Sequence, residues 1–429
     1  MDALIQRRRR MSHVMVPRQV RQRQAATAMS CFRSKADTRQ IDRLSNLPDE
    51  LLVTILSFLP TPTAACTSVL CRRFRHLWEA SPSVQVIYRN PDHLDKFVAL
   101  ADRTILHRNP SFSLLSLHLE LYYFDLSLHN SYMPSLLAKA ASLGLCHLTI
   151  VGYVHLQPIL PIIFSIKTLK SLALPNVAED HHHVFPSKFA FTSLTSLSLG
   201  FSSIDLDPPN FNQLLSELRS LEELQLDICS ISSLIISSQT IRKLKLEISG
   251  SELHTLSLFL PSLESLNLRS RELFPSLHIH GEVPSLKSAV IGLDELHAQD
   301  VTAVTKLLNF ISHLEELRLL LRESTDEKDP IHILLEPGKD VPNFPNLKHL
   351  YVRLCFHNHN FEDIIMMLHN CPVLESLKLV HKKPKITHQA RGRKREDWCS
   401  KLPRRRNVNF RNLHLGTNKR KFKKLLGRN

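Results

Sequence analysis

Two short stretches carry residue types that hold metals or move protons: His181-His182-His183, directly after Glu179-Asp180, and Cys355, His357 and His359. A zinc site needs about four ligands converging on one point, with outer partners that orient them. Neither stretch has a second Cys or His pair at a spacing that completes such a set, so both read as polar loop residues and no metal is expected. No His-Glu-x-x-His, Gly-x-Ser-x-Gly or Walker sequence occurs. Glycine is only 10 of 429 residues, and there is no Gly-x-Gly-x-x-Gly loop to cradle a phosphate. The expectation is a chain with no catalytic residue and no cofactor, whose work is binding.

Charge is the next candidate for chemistry, and its distribution matters more than its total of +15. Residues 1–40 hold 10 Lys and Arg against 2 acids, residues 381–429 hold 18 against 2, and the stretch between is net −9. Two basic tails therefore flank a mildly acidic body, and the overall charge says nothing about the fold. Basic clusters at 7–10, 391–395, 404–406 and 419–424 have the form of nuclear-import signals, which places the protein in the nucleus and/or cytoplasm. The first 40 residues also fit an organelle transit peptide, and Met11, Met15 and Met29 leave room for a later start. Only Trp398, Phe410 and Phe422 interleave the C-terminal basic residues, too few for base stacking, so nucleic acid is not the expected partner. Eight scattered cysteines without a Cys-x-x-Cys pair, and no apolar leader at the start, fit a reduced intracellular compartment.

The elements that must position any binding residue are of two kinds. Leu51, Leu52, Ile55, Leu56 and Leu59 recur at helical spacing after Pro48, Asp49 and Glu50, which suit a helix's first turn. Pro60 stops that helix, and Thr61 as N-cap with Pro62 behind it starts a second that runs to Leu70. Cys71 to Trp78 reads as a third, basic and aromatic. The uncharged run Leu51 to Leu70 is long enough to cross a bilayer, but its prolines and hydroxyl residues make it two buried helices, and no membrane is expected. Three helices in about 40 residues cannot build a core of useful size, so a partner helix is expected.

Over residues 44–78 the sequence resembles the F-box family, in the form common in plant F-box proteins with leucine-rich repeats. The resemblance includes the Leu47-Pro48 pair, and departs at Phe74, where the family usually has Trp, and at Cys71, where plant members usually have Ser. It implies docking on a Skp-family adaptor and, through it, on a cullin. It also implies that Leu47, Pro48, Leu51, Ile55, Leu56, Leu59, Val69 and Leu70 are adaptor-facing or core positions, a set that the sequence does not divide.

From Leu145 a phrase of apolar, two variable, apolar, one variable, apolar returns ten times, ending at Leu374/Leu377/Leu379. Its starts are separated by 24, 25, 27, 20, 22, 23, 28, 33 and 27 residues, mostly the spacing of leucine-rich repeats. Leu114/Leu117/Leu119 and Phe410/Leu413/Leu415 are worn first and last members, and Leu253/Leu256/Leu258 breaks the phase. One short strand per repeat is expected, with returns such as 301–310 and 361–369 helical. Most repeats lack the Asn or Cys that bonds the turn backbone, which predicts an irregular solenoid. The leucines are core. The residues between them form an open face: Ser171, Ser196 and Ser198 early, then Glu223, Gln225, Asp227, Lys243 and Lys245, then Asn267, Arg269, Arg318, His349, Tyr351, Arg353 and Lys378.

The fold class read from the sequence is thus an α/β repeat: a basic segment (1–40), a three-helix F-box (41–80), a linker (81–110), an irregular leucine-rich-repeat solenoid (111–380) and a basic tail (381–429). Trp398, Pro403 and the stretch 410–415 faintly resemble an FBD-type terminal segment, from which Arg404–Arg406 departs, so no such domain is assigned. The functional expectation is the substrate-recognition subunit of an SCF-type cullin-RING ubiquitin ligase, itself not an enzyme. Its rivals are a repeat scaffold without ligase activity and a tail-driven nucleic-acid-binding protein. Within the open face, Arg269, Arg318, Tyr351, Arg353 and Lys378 are the expected contacts for an acidic or phosphorylated partner segment, because Tyr and Arg combine large contact area with directed hydrogen bonds.

Overall fold

The computed structural model describes residues 44, 46–122, 131–152, 154, 156–177, 190–201, 208–228, 233–249, 253–272, 278–295, 301–321, 342–354, 368 and 370–381. Both metal-type stretches, the basic tails, the Phe410 phrase and nearly all of the expected return 361–369 lie outside them. The chain divides into two compact units, Met1–Leu52 and Val53–Asn429. In the first, the described residues form a turn in which the Leu47 amide donates to the Leu44 carbonyl, followed by the start of a helix.

Strict alternation of buried and open residues makes the strands. Twelve of them, β1 (Ser83–Tyr88), β2 (Ser116–Leu121), β3 (His147–Gly152), β4 (Ser171–Val177), β5 (Ser196–Phe201), β6 (Glu223–Ile228), β8 (Lys243–Ile248), β10 (Ser265–Glu272), β12 (Ser288–Glu295), β13 (Glu316–Leu321), β14 (His349–Leu354) and β15 (Ser376–His381), form one all-parallel sheet in chain order. The second and third apolar positions of each phrase stand in continuous rows, as in Leu224↔Leu244↔Leu266↔Ala289↔Leu317↔Leu350↔Leu377. The residues of this row are at most 5% exposed, so the phrase leucines are core, as expected. The repeat sheet starts before the expected boundary: the segment read as a linker, 81–110, holds β1 and a helix, and β1 pairs with the worn phrase of β2. Val84, Val86 and Tyr88 alternate inward there without leucines, which is why the leucine search passed over them.

Repeat length decides how the chain returns. Helices α1 (Asp49–Ser57) and α2 (Thr61–Cys66) belong to the N-terminal module, and α3 (Leu94–Ala101), α4 (Met133–Ser142), α5 (Leu160–Ser165), α6 (Pro208–Glu217) and α7 (Val301–Phe310) are returns, the last as predicted. The three shortest repeats, with starts 20, 22 and 23 apart, instead return through β7 (Ser233–Ser237), β9 (Thr255–Phe259) and β11 (His278–Glu282). A strand advances about 3.3 Å per residue against 1.5 Å for a helix, so a short return spans the same repeat only when extended. These strands form a second parallel sheet, ordered β11-β9-β7, and the phase-breaking Leu256 and Leu258 are its inward residues. Gly281 is required there: at φ +114° a Cβ would stand 1.8 Å from the Leu258 carbonyl oxygen.

The missing Asn and Cys of the turns have substitutes. Thr168, Thr240, Ser262 and Asn346, each immediately before the first apolar residue of a phrase, donate side-chain hydrogen bonds of 2.6, 2.7, 2.7 and 3.2 Å to carbonyls one repeat back. The main sheet therefore stays in register, with a bulge only between Leu174 and Val177, and the irregularity sits in the returns.

Candidate functional site

The N-terminal module separates the positions that the sequence left undivided. Leu56, with Ala64 and Trp78, forms a small core closed by Ala65, Leu77 and Leu100, the last a residue of α3. Of that undivided set, Leu56 is thus a core position, and the module borrows a repeat residue because it is too small to complete its own interior. Leu51, Ile55, Leu59, Val69 and Leu70 are exposed, as is Pro48, while Leu47 is half-buried. Phe58 is 82% exposed and Val69 85%, and Phe58 is an exposed apolar residue of the module that the sequence reading missed. Phe58 lies one turn beyond Ile55 and Leu51, outside the stripe that buries Leu52 and Leu56, and that offset was the available signal. Large apolar side chains left in open solvent are candidates for contact with a partner.

Two local expectations change. The third helix is a pair of 3₁₀ turns, Arg73–Arg75 and Leu77–Ala80, with Phe74 and Trp78 buried. Cys71-Arg72-Arg73 carries too little inward apolar spacing for a longer helix. Thr61 is not the N-cap of α2. Its hydroxyl instead accepts the Gln85 amide at 2.7 Å, stitching the module to β1. A stronger stitch is Arg108, only 4% exposed, whose guanidinium donates to the carbonyls of Glu79, Ala80 and Ser81 at 2.9, 3.2 and 2.8 Å. It also reaches the carbonyls of Thr104, Phe112 and Ser113 at 3.4, 2.8 and 2.8 Å. Burial lowers its pKa to about 10, which still leaves it charged at neutral pH.

On the open face, register places Arg318, Tyr351 and Lys378 side by side in one row, and Arg353 in the next row beside Leu320. The Lys378 ammonium sits 5.5 Å from the Tyr351 ring centroid, a cation–π contact that holds both in place. Arg318 bonds Glu316 at 2.7 Å, while Arg353 and Lys378 have no acidic partner among the described residues. Arg269 stands apart on β10, its stem laid over Gly292, so only four of the five expected contacts share the last three strands. The middle strands are closed by their own charges: Lys243 bonds Glu223 at 2.5 Å and Lys245 reaches Glu247 at 3.8 Å. Asp227 lies beside Glu247, and burial together with that like charge raises its pKa.

A second charge pattern runs along the residue just before each strand. From β6 to β15 it reads Glu222, Arg242, Glu264, Lys287, Glu315, Lys348, Glu375, and each amide donates to the carbonyl of the one before. Arg242 bonds Glu264 at 2.6 Å and Lys348 bonds Glu315 at 2.9 Å, with a polar cleft of about 440 Å³ over the first three. Such cross-strand pairs favour one register and one order of neighbours. The sequence held this alternation in plain view, but only the register shows that its members are adjacent.

The architecture defines a class: a small helical module followed by a parallel leucine-rich-repeat sheet. An F-box domain model matches residues 44–84, and the At1g61320/AtMIF1 LRR domain model matches residues 105–417. An Arabidopsis thaliana F-box/LRR-repeat protein, At5g54820, is 27% identical over 381 residues, covering 80% of this chain and 76% of its own. The FBD-associated F-box protein At5g56370 of the same plant is 30% identical over 353 residues, covering 79% and 75%. The chain belongs to the plant F-box/leucine-rich-repeat family. F-box domains in general bind Skp-family adaptors, and proteins of this family are typically non-catalytic.

Proposed function

We propose that this protein is the substrate-recognition subunit of an SCF-type cullin-RING ubiquitin ligase. The observation that carries the reading is the set of exposed apolar side chains Leu51, Ile55, Phe58, Leu59, Val69 and Leu70 within the F-box match. Leu47, Pro48 and these residues take the adaptor's helices, and burying Phe58 or Val69 there contributes about 1.5–3 kcal/mol each. The face of β13–β15 holds the protein to be ubiquitinated through an acidic or phosphorylated segment, with Arg318, Tyr351, Arg353 and Lys378 as anchors and Arg269 at the margin. Charge supports that placement, since the middle strands satisfy their own charges while Arg353 and Lys378 have no acidic partner among the described residues. The protein works in the nucleus and/or cytoplasm, directed by its tail clusters. The test is adaptor pull-down with a Phe58→Asp/Val69→Asp chain, which alters only exposed residues and keeps the fold. At least a tenfold loss is expected. Undiminished capture of adaptor and cullin would leave a repeat scaffold without ligase activity as the better reading.

A further inference from the structure

Arg269 stands in register between Glu247 on β8 and Gly292 on β12. It forms no ion pair or hydrogen bond among the described residues, although an acid lies on the next strand, and Glu247 reaches Lys245 instead. The Arg269 stem leans the other way: a Cβ at Gly292 would stand 3.1 Å from its Cγ and 3.7 Å from its Cβ and Cδ. Gly292 is buried beneath that stem. Its φ lies outside the left-handed region, so the backbone there accepts any residue, and a glycine inside a strand weakens the strand. What the missing side chain provides is room for Arg269.

The next residue in the same row is the half-buried Leu320 on β13, and the one after it is Arg353 on β14, which also forms no ion pair or hydrogen bond among the described residues. Arg318 is already held by Glu316 at 2.7 Å. Described strands, β8 and β15, flank this stretch on both sides. We propose that Arg269 and Arg353 form a clamp for a segment carrying two acidic side chains, and that Gly292 is the positioning residue that turns Arg269 toward Arg353. The proposal rests on the reading of β13–β15 as the partner-binding face and narrows its ligand. Neighbouring strands lie about 4.8 Å apart, so a guanidinium over β12 and one over β14 are about 10 Å apart. A single phosphate is too small to touch both. On a polyproline II segment, residues three apart share a face and lie about 9 Å apart. Each guanidinium can hold one carboxylate by two parallel hydrogen bonds, and Leu320 gives the gap an apolar floor for the acidic side chains' stems.

The test uses the full chain and two labelled peptides, one with a Glu-Ala-Pro-Glu core and one with a single phosphoserine in a neutral sequence, read by fluorescence anisotropy at low salt. The unaltered chain should prefer the two-acid peptide. Gly292→Val should weaken it about fivefold, the scale of one exposed charge-assisted pair. Thermal stability should stay level or rise, since valine suits a strand and an exposed arginine stem can swing aside, whereas a merely structural glycine would lose stability. Arg269→Gln should weaken binding equally, and adding Gly292→Val to it should change nothing more, because the valine acts through Arg269. Equal or tighter binding of the phosphoserine peptide would overturn the proposal, as would a valine effect that persists without Arg269. If Arg353→Gln and Lys378→Gln weaken the peptide and Arg269→Gln does not, the clamp fails and the late face stands as the partner surface. If none of these changes matters, or the unaltered chain binds neither peptide, that reading fails with it.

Discussion

Arg108 shows how much one side chain can settle. A planar guanidinium with five N–H groups faces six carbonyl oxygens drawn from the end of the F-box and the turns after α3. Replacing it by Met leaves those carbonyls without their donor, and a loss of about 3 kcal/mol or more is expected in urea unfolding, because buried polar groups without partners are costly. Arg108→Lys should recover little, since an ammonium lacks the fork geometry. An Arg108→Met chain as stable as the original would show that water replaces the donor. Asp227 makes a prediction of opposite sign. Its pKa is raised by burial and by Glu247, so the folded state holds the proton more tightly than the unfolded chain. The group therefore costs stability once pH rises through its folded pKa, and the cost disappears below its unfolded pKa. Asp227→Asn should raise the thermal midpoint at pH 7 and leave it unchanged at strongly acidic pH. Neither role was legible in the sequence: Arg108 sat in the segment read as a linker, and Asp227, though read as an open-face residue, meets Glu247 only through register.

At the scale of elements, periodicity was legible and partnership was not. The phrase leucines gave the strands of the main sheet because a period of two with a buried leucine has few other solutions. The returns were harder: a strand such as β9 carries the same phrase as its main-sheet neighbours, and only repeat length separates the two sheets. Gly281 tests this account. Gly281→Ala forces a side chain into the Leu258 carbonyl at a φ that L residues rarely adopt, so unfolding stability should fall by about 1–3 kcal/mol. The same change at Gly144, which has open space around it but φ +87°, should cost less. Equal losses would mean that backbone strain alone, rather than the close approach of β11 to β9, explains the glycine. In the F-box the helical stripe was legible, while its division into Leu56 inside and Ile55 outside needed the neighbouring Leu100 to be known.

The whole molecule joins an acidic body to two strongly basic tails, and the C-terminal one has two parts that differ in composition. Residues 410–415 carry apolar spacing with one arginine, whereas 404–406 and 419–424 carry charge with almost no apolar residue that a core would take. Charge clusters act on distant polyanions and on import receptors through a field that salt screens, while apolar residues act through short-range burial that salt scarcely touches. Changing the basic residues of 391–395, 404–406 and 419–424 to Ser should therefore abolish nuclear accumulation of a fluorescent fusion and flatten the salt dependence of heparin binding. It should leave thermal stability and adaptor capture unaltered. The body between the tails is net −9, so it offers no sheet-wide basic surface to take over the polyanion contact. Heparin binding with an undiminished salt slope in the serine variant would show that Arg353, Lys378 and the other cations of the late face act together as a basic surface despite that balance. Nuclear accumulation that survived in the same variant would move the import signal to the first 40 residues.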